Sequence, residues 1–222
     1  MNIFKPWYQA SRISAGIAIN PLLEKRVIVQ IYCARAFSWR GFFSVHSWIA
    51  VKHRNSDHYL VYQLLYWNKF LHNNIISVTK DIPDRYWFDA KPKIIYSYIG
   101  DLGEKMIEEI NQAILSYPYK NKYILWPGPN SNSFISYLIR NSSLIRTNLP
   151  ANAIGKDWLG FNKFFAFSES KTGIQISIFG IFGIIFALKE GVEFNILGLS
   201  FGFSPYKITF KLPFIGDISM IN

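Results

Sequence analysis

Short stretches of alternating apolar and polar residues, broken by Gly, Pro and Asn, dominate the chain, and two stretches switch to helical spacing. Val27–Cys33 (VIVQIYC) is short and β-branched and predicts a first strand. Ser44–His53 and Tyr59–Trp67 are apolar and aromatic runs flanking the polar turn RNSD, which predicts a hairpin. Within HSWIAVK, alternation sets Ser44, His46 and Trp48 on one face and Val45, Ser47, Ile49 and Val51 on the other. Residues 68–93 carry Asn73-Asn74, Pro83 and Pro92 and read as a connection holding one short strand. Ile94–Tyr98 is a further strand, ending at Gly100.

The spacing predicts a helix over 102–116, with Leu102, Met106, Ile110 and Ala113/Ile114 as its apolar stripe and Asp101 with Glu104 as a capping-box-like start. A second helix starts at Asn130 or Ser131 and runs to about Arg140, turning Phe134, Ile135, Leu138 and Ile139 inward. Pro127, Gly128 and Pro129 forbid helix just before it. From Thr172 onward, pieces rich in Ile, Phe and Gly predict a β-meander. Residues 172–188 form an uncharged stretch of 17 residues, at the lower limit of a membrane-spanning helix. Because Ile174, Ile176 and Ile178 alternate with Gln175 and Ser177, a strand is favoured over a membrane segment. The predicted class is α+β: an antiparallel sheet with two main helices, then a C-terminal β-meander. Residues 1–26 form a basic extension, 27–160 the core domain, and 161–222 a β-rich extension packed on the core.

Composition narrows the functional classes. Of the 222 residues half are apolar and 18% aromatic, which excludes a disordered chain. The single cysteine, Cys33, excludes an internal disulfide framework and a multi-thiolate metal site. The net charge is +10, and eight basic residues fall within the first 56 positions against the lone Glu24. Such a bias suits an anionic membrane surface. It argues against nucleic acid, because the charges are scattered among apolar residues without a Lys/Arg run or a recognisable binding signature. The first residues lack the unbroken apolar core of a signal peptide, which favours a cytoplasmic or membrane-associated location.

Chemistry concentrates in Trp126–Phe134, WPGPNSNSF. A Pro-Gly-Pro turn delivers Asn130, Ser131, Asn132 and Ser133 to a helix start, where free N–H groups and the dipole favour negative charge. Ser131 there is a candidate nucleophile, and the adjacent N–H groups are candidate oxyanion donors. The commoner role for Asn and Ser at this place is helix capping, worth about 1 kcal/mol. His46 is the histidine set within an apolar strand and is the candidate base. Gln63 on the adjacent run would orient it if the turn is centred near residue 55. Trp126, Trp48, Asn130, Asn132 and Ser133 are the expected binding residues around them. His53 and His58 flank Asp57 without further clustered ligands, and no phosphate loop or dinucleotide fingerprint is present, so no metal and no cofactor are expected.

Several uncommon blocks in one order resemble a bacterial domain-of-unknown-function family, number 3750: ASRISAGIAINP, ARAFSWRGFFSVHSWIAVK, RYWF, SYPYKNKYILWPGPNSNSF and NAIGKDWLG. His46 in VHSW followed by Asn130-Ser131-Asn132-Ser133-Phe134 is also similar to the permuted papain-like, NlpC-type fold, whose members carry cysteine where Ser131 stands. That resemblance implies a papain-like core in circularly permuted order and a hydrolase or acyltransferase acting on an amide or ester, in a small-molecule, peptide or lipid substrate. Serine in place of cysteine and Gln63 in place of an acidic orienter both weaken such a site. The alternative is a non-catalytic binding or membrane-surface protein retaining the fold, in keeping with the basic first quarter, Trp7, Trp39, Phe42-Phe43 and the Ile/Phe-rich tail.

Overall fold

The computed structural model describes residues 5–72 and 74–221. The β-branched run that opens the core becomes β1 (Ile28–Arg35), and the predicted hairpin becomes β2 (Val45–Lys52) and β3 (Leu60–Leu64). The connection that follows holds a short helix, α1 (Asn68–His72), and β4 (Ile76–Lys80), and β5 is Lys93–Ile99. These strands form an antiparallel sheet in the order β4-β3-β2-β1-β5. Helices α2 (Gly103–Ser116) and α3 (Ser131–Asn141) cover one face. Val29 and Ile31 of β1 and Val45, Ile49 and Val51 of β2 pack there against Met106, Ile107, Ile110, Phe134, Ile135 and Leu138. The opposite face carries Ile28, Tyr32, Trp48, Ala50 and Val61 under Trp87 and Phe88. Burial on both faces explains why β1 reads as a nearly continuous apolar run.

One local expectation changes. Helix α2 starts after Leu102 without a side-chain cap. Glu104 instead accepts from His53 Nδ1 at 2.8 Å and from the Arg54 N–H at 3.0 Å, while Asp101 pairs with Arg54, so this acidic pair fastens the β2–β3 turn to the helix. The basic N-terminal segment is held by a buried carboxylate: Asp84 accepts from Ser14 Oγ at 2.8 Å and from the N–H groups of Ile17 and Ala18 at 2.7 and 3.1 Å.

The C-terminal meander forms a second antiparallel sheet, β6 (Phe165–Phe167), β7 (Gly173–Ile178), β8 (Phe182–Ala187), β9 (Gly191–Ile196), β10 (Leu199–Ser204), β11 (Thr209–Leu212) and β12 (Gly216–Ser219), paired in chain order. Residues 172–188 are therefore a β-hairpin, and no helix among the described residues is long and apolar enough to cross a membrane. The polarity of this sheet is inverted. Gln175, Ser177, Glu193, Asn195, Ser200 and Lys211 are buried, whereas Ile174, Phe186, Phe194, Phe201, Phe203 and Phe210 are exposed.

The polar face is buried because the loop after α3 meets it with charge. Asp157, itself buried, accepts from Gln175 Nε2 (2.9 Å), Asn195 Nδ2 (2.7 Å) and Ser200 Oγ (2.8 Å), while its backbone carbonyl accepts from Ser177 Oγ (2.6 Å). Lys156 lies 3.4 Å from Asp157 and pairs with Glu193, which takes a second ammonium from Lys211 at 2.7 Å. Burial pushes the Glu193 carboxyl up, and the ammonium groups of Lys156 and Lys211 outweigh that effect and hold it down at about 2. Removing one member of such a network strands the others in low dielectric. Asp157→Ala is expected to lose about 3–5 kcal/mol in urea unfolding and to open residues 161–221 to protease first. A loss below about 1 kcal/mol would show that Asp157 does not hold the sheet.

Candidate functional site

The N-terminus of α3 is built from its own side chains. Asn130 is the N-cap: its Oδ1 accepts from the N–H groups of Asn132 and Ser133, both at 3.0 Å. Ser133 closes the capping box, its Oγ accepting from the Asn130 N–H at 2.7 Å. Asn130 Nδ2 donates to the carbonyls of Leu125 (3.0 Å) and Ile154 (3.2 Å). Asn132 fastens the helix to β2, its Nδ2 donating to the Val45 carbonyl at 2.9 Å and its Oδ1 accepting from Ser47 Oγ at 2.9 Å. Gly155, at φ +99°, lies so close that an added Cβ would stand 2.3 Å from Asn130 Nδ2. Both prolines of the preceding turn follow cis peptide bonds, Trp126–Pro127 and Gly128–Pro129. Trp126 is exposed and donates through Nε1 to the Leu197 carbonyl at 3.0 Å, linking this turn to the second sheet.

Ser131 is buried in the first turn, beside the Tyr123 phenol. Burial pushes that phenol's pKa up, and the proximity of Ser131 pulls it back in part. With the N–H groups of Asn132 and Ser133 both taken by the Asn130 side chain, much of the helix end is satisfied internally rather than left open toward a ligand.

His46 lies on the other face of β2 from Ser47, in the way alternation predicts. Its ring stacks on Trp87 with centroids 3.7 Å apart and lies 5.9 Å from the ring of Trp48. Gln63, one residue beyond the last β2–β3 pair, Ile49↔Tyr62, brings its Oε1 within 3.3 Å of His46 Nε2. The structure thus joins His46, Gln63 and Trp48, and joins Ser131 with Asn130, Asn132 and Ser133. Among the described residues no hydrogen bond links the two groups. Burial drives the His46 pKa down to about 3, against a smaller opposite effect of the Gln63 bond. At neutral pH the ring is uncharged, which is the form a base needs, yet so low a pKa makes it a weak proton acceptor. His53 and His58, the other ring-bearing candidates, pair with Glu104 and with Asp57 at 2.8 and 2.6 Å.

The feature that sequence reading missed is the outer face of the second sheet. Phe167, Phe186 and Phe165 are 72%, 67% and 64% exposed, and cross-strand rings meet at Phe194–Phe201 (5.8 Å) and Phe203–Phe210 (5.3 Å). With about 150–250 Å² per aromatic side chain and roughly half of each uncovered, the face exposes on the order of 1,000 Å², against about 300–600 Å² for the largest patch of a typical monomer. A hollow of about 1020 Å³ lies on it, lined by Ile174, Phe186, Leu188, Phe194, Phe201 and Leu212. Lys163 and Lys207 are exposed in the same part of the chain, as is Asp217, whereas Glu169, Glu190 and Glu193 are buried. Alternation in this stretch was legible, but not which side faces out. The signal was the polar set itself, since Gln175, Glu193, Asn195 and Lys211 all share one face.

The His46 environment has a pH consequence. The unfolded ring binds a proton near pH 6.5 and the folded one only near pH 3. Its contribution to stability is therefore complete above about pH 6.5 and lost progressively as pH falls toward 3. The ring resonances of His46 are expected to stay constant from about pH 8 to pH 5 in an NMR titration, and a midpoint near 6.5 would contradict the packing described.

Residues 26–158, which carry the first sheet, α2, α3 and the loop through Asp157, match the model of the family described as protein of unknown function (DUF3750). No curated protein matches the chain, and no solved structure does. The matched span covers more than half of the sequence and includes the WPGPNSNSF and VHSW blocks, and the chain belongs to the DUF3750 family.

Proposed function

We propose that the protein works at an anionic membrane surface, seating the outer face of the second sheet on lipid. The observation that carries this is an antiparallel sheet with its Phe and Ile side outward and its ionic side inward. Water does not sustain so large a contiguous apolar face without a covering partner. Area alone would also suit a second copy, since a stable interface takes about 800 Å² per partner. Charge decides for lipid. Lys163 and Lys207 are exposed in this part of the chain against one exposed carboxylate, Asp217, while Glu169, Glu190 and Glu193 are buried, so two copies face to face would bring a cationic excess together, whereas anionic headgroups would attract it.

A second reading keeps acyl chemistry on a papain-like, NlpC-like core. It is favoured by one contact, the 3.3 Å approach of Gln63, the candidate orienter, to His46, the candidate base. Ser131 Oγ would attack a carbonyl carbon, and because His46 lies across β2 from α3, the hydroxyl proton would have to reach the imidazole through a water relay. Gln63, being uncharged, would stabilise the resulting imidazolium less than a carboxylate does.

Flotation with phosphatidylcholine vesicles, with and without phosphatidylglycerol, tests the first reading. Binding is expected only with the anionic lipid, to weaken with salt, and to fall about tenfold in Phe186→Ser/Phe201→Ser. A protein that ignores both vesicles and sediments as a dimer dissociated by the same substitutions would replace the lipid with a second copy. For the second reading, a fluorophosphonate probe is expected to label the wild type and not Ser131→Ala; labelling retained in that folded variant removes Ser131 as nucleophile.

A further inference from the structure

Between the β1/β5 edge of the first sheet and the β10–β12 end of the second lies a cleft of about 430 Å³. Arg35, Lys91, Lys93, Lys189, Lys207 and Lys211 line it, against one carboxylate, Asp217. Lys211 is neutralised by Glu193 at 2.7 Å. Lys91, Lys93 and Lys207 are exposed and enter no ion pair among the described residues. Arg35 spends its guanidinium on backbone carbonyls, those of Phe214 and Ile215, so its charge is uncompensated by any carboxylate. Lys189 likewise donates to the Arg146 carbonyl at 2.8 Å. Cations gathered in a concave, partly desolvated space concentrate anions there. The neutral side chains of Thr147 and Asn148 on the wall add groups able to hydrogen-bond phosphate oxygens.

The cleft and the apolar hollow share a rim. Leu188 and Pro205 line the hollow, their neighbours Lys189 and Tyr206 line the cleft, and Lys211 borders both. We propose that this cleft binds a phosphate monoester, with the acyl chains of a phosphorylated lipid passing over the rim into the hollow. The lipid half rests on the membrane-surface reading, whereas the affinity of the cleft for phosphate does not. The volume suits a headgroup or a small phosphate ester rather than a nucleic-acid strand, and lysines recognise phosphate as point charges without demanding one geometry.

Isothermal titration of the full chain with inorganic phosphate and with dibutyryl phosphatidic acid tests the proposal. Both are expected to bind and to compete, with the short-chain lipid about tenfold tighter because part of each chain leaves water. Lys91→Gln/Lys93→Gln, at exposed positions, is expected to weaken both about tenfold with an unchanged Tm. Equal affinities that both fall in this variant would support the phosphate site and assign it to a soluble ester. Absence of saturable binding by either probe, or binding unchanged in the double variant and in Lys207→Gln, overturns the cleft. Loss of vesicle flotation with phosphate binding intact sinks the membrane reading alone.

Discussion

The buried ion network of Lys156, Asp157, Glu193 and Lys211 sets the arrangement of everything C-terminal to α3. Charged groups taken out of water must be matched, and here they are matched across two segments, one in the loop after α3 and one on the inner face of β9 and β11. Asp157 extends the match to Asn195, also on β9, and to Gln175 and Ser200 on two further strands, β7 and β10. Since strand side chains alternate, a sheet obliged to turn these groups inward must turn the intervening Phe and Ile outward. The exposed apolar face follows from the network rather than from any local preference of the strands.

A comparable economy governs the first sheet. Residues that attract attention as chemistry, Asn130, Asn132 and Ser133, are consumed in holding α3 against β2 and the Ala153–Lys156 turn. Ser131 is buried in the first turn of α3, and His46 is enclosed by Trp87, Trp48 and Gln63. Desolvation then keeps the imidazole neutral, which removes the usual reason for a histidine to respond to physiological pH. The two groups occupy opposite faces of one strand, and that is the distance catalysis would have to close.

Much of this was legible in the residues. Period-two alternation fixed which of His46 and Ser47 shares a face with Trp48, and the Pro-Gly-Pro turn marked the start of α3 within a residue. The His46–Gln63 approach followed from a hairpin turn centred near residue 55. The Asp101/Glu104 capping signal misled because a carboxylate at a helix start serves equally well to fasten a neighbouring turn, and His53 with Arg54 competed for it. Which side of the meander faces water could not be read locally. Apolar-inward is the general rule, and its reversal depends on a Lys-Asp pair some twenty residues upstream that looks, in sequence, like ordinary solvated charge.

The inverted sheet also explains how the two halves of the molecule are held together. An apolar interface between the sheet and the α3 loop would have left a polar outer surface. A polar interface costs desolvation, and the ionic bonds within it only offset that cost, so stability alone does not favour the arrangement. What it provides is a fixed orientation. Each partner of Asp157 sits on a different strand, so sliding the sheet by one residue would break all of these bonds at once and bury Phe and Ile where the charges now lie. A register locked in this way keeps the apolar face continuous and holds Lys189 and Lys207 at its rim, beside the cleft that opens toward β1 and β5.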